Sequence, residues 1–418
     1  MSIIWAASIL NVGCSLIYDN DMDQDVVSDA ERAQIILRVF KLTEGITRAD
    51  NQKVIEAISS LRILITDESG KVEYNDIINA DNLDSKSSPG EIYTLKLTTS
   101  PGIKRFFLFA NEEETGTISY GGEVANNPTS LSELLNTFRT GETYPELFNI
   151  INSVYFTPNY TTNDNTIYLP YSSFYQITLE GGTRYEDPMY LIPAATKFTF
   201  NFNNSRSHDV TVDKIEISSL ADRLFLLGQI SPDSGDYFKT IKETNGDVET
   251  YYWVDWLARI SEMSHNFIDY PENERFNNTF GWISSYEIPS GTIHSIAGIS
   301  LSSSDNVVPA KTQTSSSTPI PGTLSMGPYY YPECRYIPAG DSNQAYSLNL
   351  ELTDSNPAEQ DSGHKIFNDI ALPNVKALFR NTHVIITVSM SEGTDDIYVE
   401  IRNWYFTENF YGTATKEN

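Results

Sequence analysis

Cysteine and histidine are scarce, at 2 and 5 in 418 residues. Cys14 and Cys334 stand too far apart for a short metal motif, and two cysteines cannot build a disulfide framework, although one bridge stays open. His208, His265, His294, His364 and His383 are isolated, with no ligand spacing. Each reads as a satisfied or solvated side chain, so no metal and no other cofactor is expected. Basic residues are also few: 28 Lys and Arg face 56 Asp and Glu, a net charge of −28. Too little basic surface remains to neutralise phosphates, which argues against a nucleic-acid partner. No run reaches the roughly 18 apolar residues of a membrane helix. The G-x-S-x-G, H-E-x-x-H, P-loop and G-x-G-x-x-G motifs are absent. The chain therefore reads as a non-enzyme, with one opening: a glycosidase needs only two carboxylates brought together by the fold.

Aromatics make up 12% and hydrophobic residues 40%, which excludes a disordered acidic chain. The start is apolar from Ser2 to Leu10, followed by Asn11-Val12-Gly13-Cys14. A small residue before a cysteine after an apolar run is the pattern of a bacterial lipoprotein signal. It makes 1–13 the signal and Cys14 the lipidation site. The pattern departs from the usual one in Asn11, where Leu is common, and in lacking a basic residue before the run. Asp19, Asp21, Asp23 and Asp25 suggest a calcium loop, but Gln24 stands where Gly is needed and Ala30 where Glu is needed. An acidic solvated tether is the better reading.

Strand patterns follow. Ala33 to Leu42 places Ile35, Leu37 and Val39 on one face. Thr43 to Asn51 reads as an exposed loop. Ile55 to Thr66 reads as one strand ending at an Asp67–Gly70 turn, and Glu91 to Thr98 and Ile103 to Ala110 read as two more. Leu131 to Phe138 has helical spacing. Glu112-Glu113-Glu114 reads as a solvated turn. Polar residues between Gly181 and Pro188 place a domain boundary there, giving 49–187 and 188–418. Lys197 to Asn203 puts Phe198, Phe200 and Phe202 on one face. Asn203-Asn204-Ser205 then turns the chain, and Val210 to Ile217 is expected to pair back as a hairpin. Residues 230–328 are irregular. They hold an aromatic patch (Tyr251, Tyr252, Trp253, Trp256) and a Ser/Thr/Pro-rich segment, Ser300 to Thr323, read as a flexible loop. Strand character returns at Tyr346 to Leu352, Thr382 to Ser389 and Ile397 to Trp404. Short strands separated by turn signals describe all-β sandwich domains.

A set of segments runs in order along most of the chain. It comprises Cys14 with its tether, the Ile35 to Leu42 strand, Thr47-Arg48-Ala49, Ser60 to Ile65, Phe106 to Asn111, Tyr331-Pro332-Glu333, Arg380 to Val384, and Ile401-Arg402-Asn403-Trp404. In these the chain resembles the fimbrillins of Bacteroidia-type bacteria, pilin subunits exported as lipoproteins. Residues 230–328 have no counterpart and read as an insertion. The resemblance implies an all-β chain with two transthyretin-like β-sandwich domains in tandem. It implies an outer-membrane lipoprotein precursor, with lipid (palmitate) on Cys14, destined for a cell-surface fimbrium. A trypsin-like maturation protease would cut between Arg48 and Ala49, making 14–48 a propeptide that carries the removable strand of Ile35, Leu37 and Val39. Removing a central strand leaves unpaired N–H and C=O groups and an empty apolar slot. A strand from the next subunit would fill it, extending a head-to-tail polymer.

The C-terminal segment Ile397 to Phe410 is the candidate donor, with Ile397, Val399 and Ile401 alternating against Tyr398, Glu400 and Arg402. Its alternative is an ordinary edge strand of its own domain. The expected role is a shaft or tip/accessory subunit that mediates adhesion to a host or bacterial surface receptor, with other fimbrial subunits as partners. Ser15-Leu16-Ile17-Tyr18-Asp19 is similar to the start of anchor-type members, so an anchoring subunit that keeps its lipid is an alternative. A glycan-binding surface lipoprotein is another, through stacking on the aromatic patch.

Overall fold

The computed structural model describes residues 32–41, 54–83, 91–160, 165–228, 241–244, 247–250, 289–299, 301, 305–312, 319–335, 346–355, 363–371, 377–378, 380–392 and 395–403. Strands dominate, with two short helices among the described residues, Leu131–Asn136 (α1) and Leu147–Asn152 (α2).

The first sandwich is built from β1 (Ala33–Lys41), β2 (Ser60–Asp67), β3 (Val72–Asn79), β4 (Glu91–Thr99), β5 (Gly102–Ala110), β6 (Tyr171–Leu179) and β7 (Arg184–Pro193). Their order is β3-β2-β5-β6-β7-β1-β4. The path bends at β6 and β7, which pair only at Tyr171 with Pro193 and Ser172 with Ile192. It thus makes two layers, β3-β2-β5-β6 and β7-β1-β4, with one apolar core between them. β2 and β5 are apolar on both faces because each serves two cores. Ile63, Ile65, Phe106 and Leu108 point into the sandwich, while Leu64, Phe107 and Phe109 join a second cluster under α1 and α2. α1 starts at a capping box: Ser130 Oγ accepts from the Glu133 N–H at 3.2 Å, and the Glu133 carboxylate accepts from the Ser130 N–H at 3.2 Å. The Asp67–Gly70 turn needs glycine, since Gly70 has φ +85° and a Cβ there would lie 2.2 Å from the Tyr144 carbonyl oxygen.

The second sandwich comprises β8 (Thr196–Asn204), β9 (Val210–Ala221), β10 (His294–Gly298), β11 (Gly322–Tyr331), β12 (Ser347–Asp354), β13 (His364–Ala371), β14 (Thr382–Met390) and β15 (Asp395–Asn403). One sheet runs β11-β8-β14-β15. The other runs β10-β9-β12-β13, with Val307–Val308 also on β9. The two sandwiches repeat one arrangement. β1 lies parallel to β7 and antiparallel to β4; β8 lies parallel to β14 and antiparallel to β11.

Several expectations change. β8 and β9 are not a hairpin: they belong to opposite sheets, and Phe198, Phe200 and Phe202 meet Val210, Val212, Ile215 and Ile217 across the core. Alternation leaves each strand one apolar face, and the two faces cover each other between the sheets. The 187/188 boundary falls inside β7, and the chain changes sandwich between Pro193 and Thr196. The Gly181-Gly182 turn leads from β6 into β7 within the first sandwich. Ile55 to Thr66 is two strands, because Ile55–Glu56 pairs with Thr166–Ile167 before β2 begins. The Ser300 to Thr323 loop contains Val307–Val308 and the first residues of β11, which also runs through the end of the 230–328 segment. Glu112 is buried, not solvated: Arg62 grips it through Nε at 2.7 Å and Nη2 at 2.8 Å. The aromatic patch at Tyr251 to Trp256 and His265 lie outside the described residues.

Candidate functional site

β1 occupies an interior place in its layer. It is bonded along one side to β7, from Gln34↔Arg184 to Lys41↔Leu191, and along the other to β4, from Ala33↔Thr99 to Phe40↔Glu91. Ala33, Ile35, Leu37 and Val39 face the core and are at most 4% exposed. On the opposite face Arg38 pairs with Glu186, and the Phe40 ring lies 5.6 Å from that of Tyr190. Ile35, Leu37 and Val39 thus sit together in one slot between the layers. Cys14, Arg48 and Ala49 lie outside the described residues, on the two segments flanking β1.

The inward phase of β1 ends on Lys41, whose ammonium donates to the Glu56 backbone carbonyl. The Glu56 carboxylate is buried. It accepts a hydrogen bond from Tyr330 Oη on β11 at 2.9 Å and lies 3.6 Å from Lys197 Nζ on β8. The end of β1 therefore meets a polar cluster that joins the two sandwiches.

A second buried cluster joins them nearby. Arg380 Nε donates to Glu333 Oε1 at 2.6 Å, and Nη2 bonds the same oxygen. Arg380 Nη1 reaches Ser172 Oγ at 2.9 Å on β6 and the Leu226 carbonyl at 2.8 Å, and Nη2 reaches the Phe225 carbonyl at 2.8 Å. The Tyr331-Pro332-Glu333 and Arg380 to Val384 segments, far apart in sequence, thus meet through one ion pair. Alongside, the Asn381 N–H donates to the Ala195 carbonyl at 2.9 Å and Tyr160 Oη to the Ala194 carbonyl at 2.6 Å. Burial pushes the Tyr160 phenol well above its ordinary range; Arg380 opposes that rise and Glu333 adds to it.

Among the described residues β15 lies at the edge of its sheet, paired to β14 with Val388↔Ile397, Ile386↔Val399 and Val384↔Ile401. Ile397 packs partly buried against the second core. The side chains of Val399 and Ile401 lie outside the described residues. Among the described residues no group of three or more His, Cys, Asp or Glu is placed to hold a metal, and no helix is long and apolar enough to cross a membrane. His383 bonds Thr199 Oγ1 at 2.9 Å, and His208 Nε2 bonds Asp354 at 2.7 Å.

Sequence reasoning did not reach the Lys41, Glu56, Lys197 and Tyr330 cluster. One signal was available: Lys41 is in phase with Ala33, Ile35, Leu37 and Val39, so a cation continues an inward apolar row.

No protein-family profile and no curated protein matches the chain. Solved structures do. The tip fimbrial protein Mfa3 from Porphyromonas gingivalis, with C-terminal truncation, is similar over 89% of this chain and 100% of its own, at 12% identity and a TM-score of 0.45. A fimbrial assembly protein from Parabacteroides distasonis is similar over 88% of this chain and 94% of its own, at 12% identity and a TM-score of 0.36. Both likenesses are distant.

Proposed function

We propose that the chain is a structural subunit of a cell-surface fimbria, shaft or tip/accessory, assembled by strand exchange after proteolysis and mediating adhesion. The observation that carries this reading is β1: a strand that sits between two others and fills an apolar slot. A cut between Arg48 and Ala49 would leave β1 held by hydrogen bonds and packing alone. Its departure would expose two strand edges, on β7 and β4, and a row of unfilled apolar positions. Such edges pair with any strand of suitable pattern, which makes a head-to-tail joint. β15 is the proposed donor to a neighbouring subunit, since a strand bonded along one side only, to β14, can leave without breaking a sheet in its middle. Lipid on Cys14 would hold the uncut precursor at the outer membrane, and a trypsin-like protease would release it. A subunit that kept β1 and its lipid would instead serve as the anchor.

Replacing Arg48 with Ala tests the reading. The expected result is full-length, lipid-bearing monomer and no filament; normal filaments from this variant would refute it. Deleting 395–418, which removes β15, should leave the cut intact and abolish joining to a neighbour. A truncated chain that still joins places the donor elsewhere.

A further inference from the structure

We propose that the β1 slot recognises its occupant by charge as well as by apolar pattern. The incoming strand must put Lys or Arg where Lys41 stands, and the slot therefore selects a strand of a different subunit over β15 from a second copy of this chain. The proposal rests on the exchange reading above.

Lys41 continues the inward row of Ala33, Ile35, Leu37 and Val39 and ends on the Glu56 carbonyl. The N–H groups of Ile55 and Ala57 are committed to the Asn165 and Ile167 carbonyls, so backbone alternation aims the Glu56 carbonyl to the opposite side, toward β1. The Glu56 carboxylate is in turn held by Tyr330 and Lys197 from the second sandwich. A neutral residue at position 41 would take a charge-assisted bond from this half-buried place, and an acidic one would add a like charge beside Glu56.

β15 fails this pattern. Laid in the orientation of β1, with Ile397, Val399 and Ile401 in the places of Ile35, Leu37 and Val39, it puts Asn403 at Lys41. It also puts Asp395 at Ala33, which is 0% exposed, and Glu400 at Arg38, facing Glu186. Arg402 would replace Phe40, which is buried. A shift of two residues places Asn403 at Val39 or Asp395 at Ile35, and a shift of one turns the apolar row outward. Only the three central aliphatics match. The partner strand fits best as apolar residues in alternation, basic at the fourth-last position and basic at the last.

The test uses the full chain carrying a site-specific protease sequence in place of residues 45–49, cut, with release of the N-terminal piece confirmed by mass. Five peptides are titrated into it: residues 33–41, the same with Lys41→Arg, the same with Lys41→Met, residues 395–403, and residues 395–403 with D395A, E400R, R402F and N403K. The 33–41 peptide and its Lys41→Arg form should bind. Lys41→Met should weaken binding about tenfold to a hundredfold, the range of a charge-assisted hydrogen bond. The 395–403 peptide should bind more weakly still, and its four-substitution form should regain affinity. Equal affinity of the Lys41→Met peptide, or a 395–403 peptide that matches 33–41, would overturn the proposal and leave the exchange reading standing. A cut chain that never releases β1, or that does not take back the 33–41 peptide, would overturn the exchange reading itself.

Discussion

Withdrawing β1 should cost the first sandwich most of its stability and leave the second nearly untouched. Ile35, Leu37 and Val39 are 4%, 1% and 0% exposed in their slot. At about 1.5–3 kcal/mol for each buried aliphatic side chain, their removal takes about 5–9 kcal/mol, as an upper bound. A whole domain commonly holds only about 5–15 kcal/mol. The loss falls on the first core, whereas Phe198, Phe200, Val384 and Ile386 belong to the separate core of the second sandwich. Urea denaturation of the cut chain, before and after β1 is separated from it, provides the assay. Separation should split one late transition into an early one for the first sandwich and a late one for the second. Adding residues 33–41 as a peptide should merge them again. A first transition that keeps its midpoint after mass spectrometry confirms the loss of β1 would refute the reasoning, because the slot would then carry little of the stability.

The junction and the alkaline limb yield two more expectations. Glu333→Gln leaves Arg380 buried without its carboxylate and should destabilise the chain by about 3–5 kcal/mol, measured by urea denaturation; a change under about 1 kcal/mol would mean the pair is dispensable. Burial, with Tyr329 adding to it, pushes the Tyr331 phenol up to about 12. Because the folded value is raised, this group's contribution is fully present below pH 10 and is lost as pH rises toward 12. Tyr331→Phe should flatten that part of the stability curve, and an unchanged alkaline slope would contradict the assignment.

Much of the fold is legible where one face is apolar and the other polar. Ile35, Leu37 and Val39, and Phe198, Phe200 and Phe202, announce their strands by strict alternation. β3 and β6 do not. β3 reads VEYNDIIN, an edge strand whose buried members are Val72 and Ile78. β6 begins with Tyr171-Ser172-Ser173, a polar-looking start, yet both serines are buried with their hydroxyls bonded to backbone carbonyls. Pairing across long sequence separations is likewise hidden. Nothing local joins Arg62 to Glu112, Glu333 to Arg380, or Lys41 to Glu56, so a triple-glutamate run passes for a solvated turn. Adjacency misleads in the other direction at β8 and β9, which follow one another in the chain and face one another across the core.

The most direct test of the account is the N-terminal residue of the protein recovered from filaments on intact cells. Strand exchange after cleavage predicts a chain that starts at Ala49 and has lost residues 33–41. Filament-borne protein that still begins at a lipid-modified Cys14 and retains β1 would contradict it.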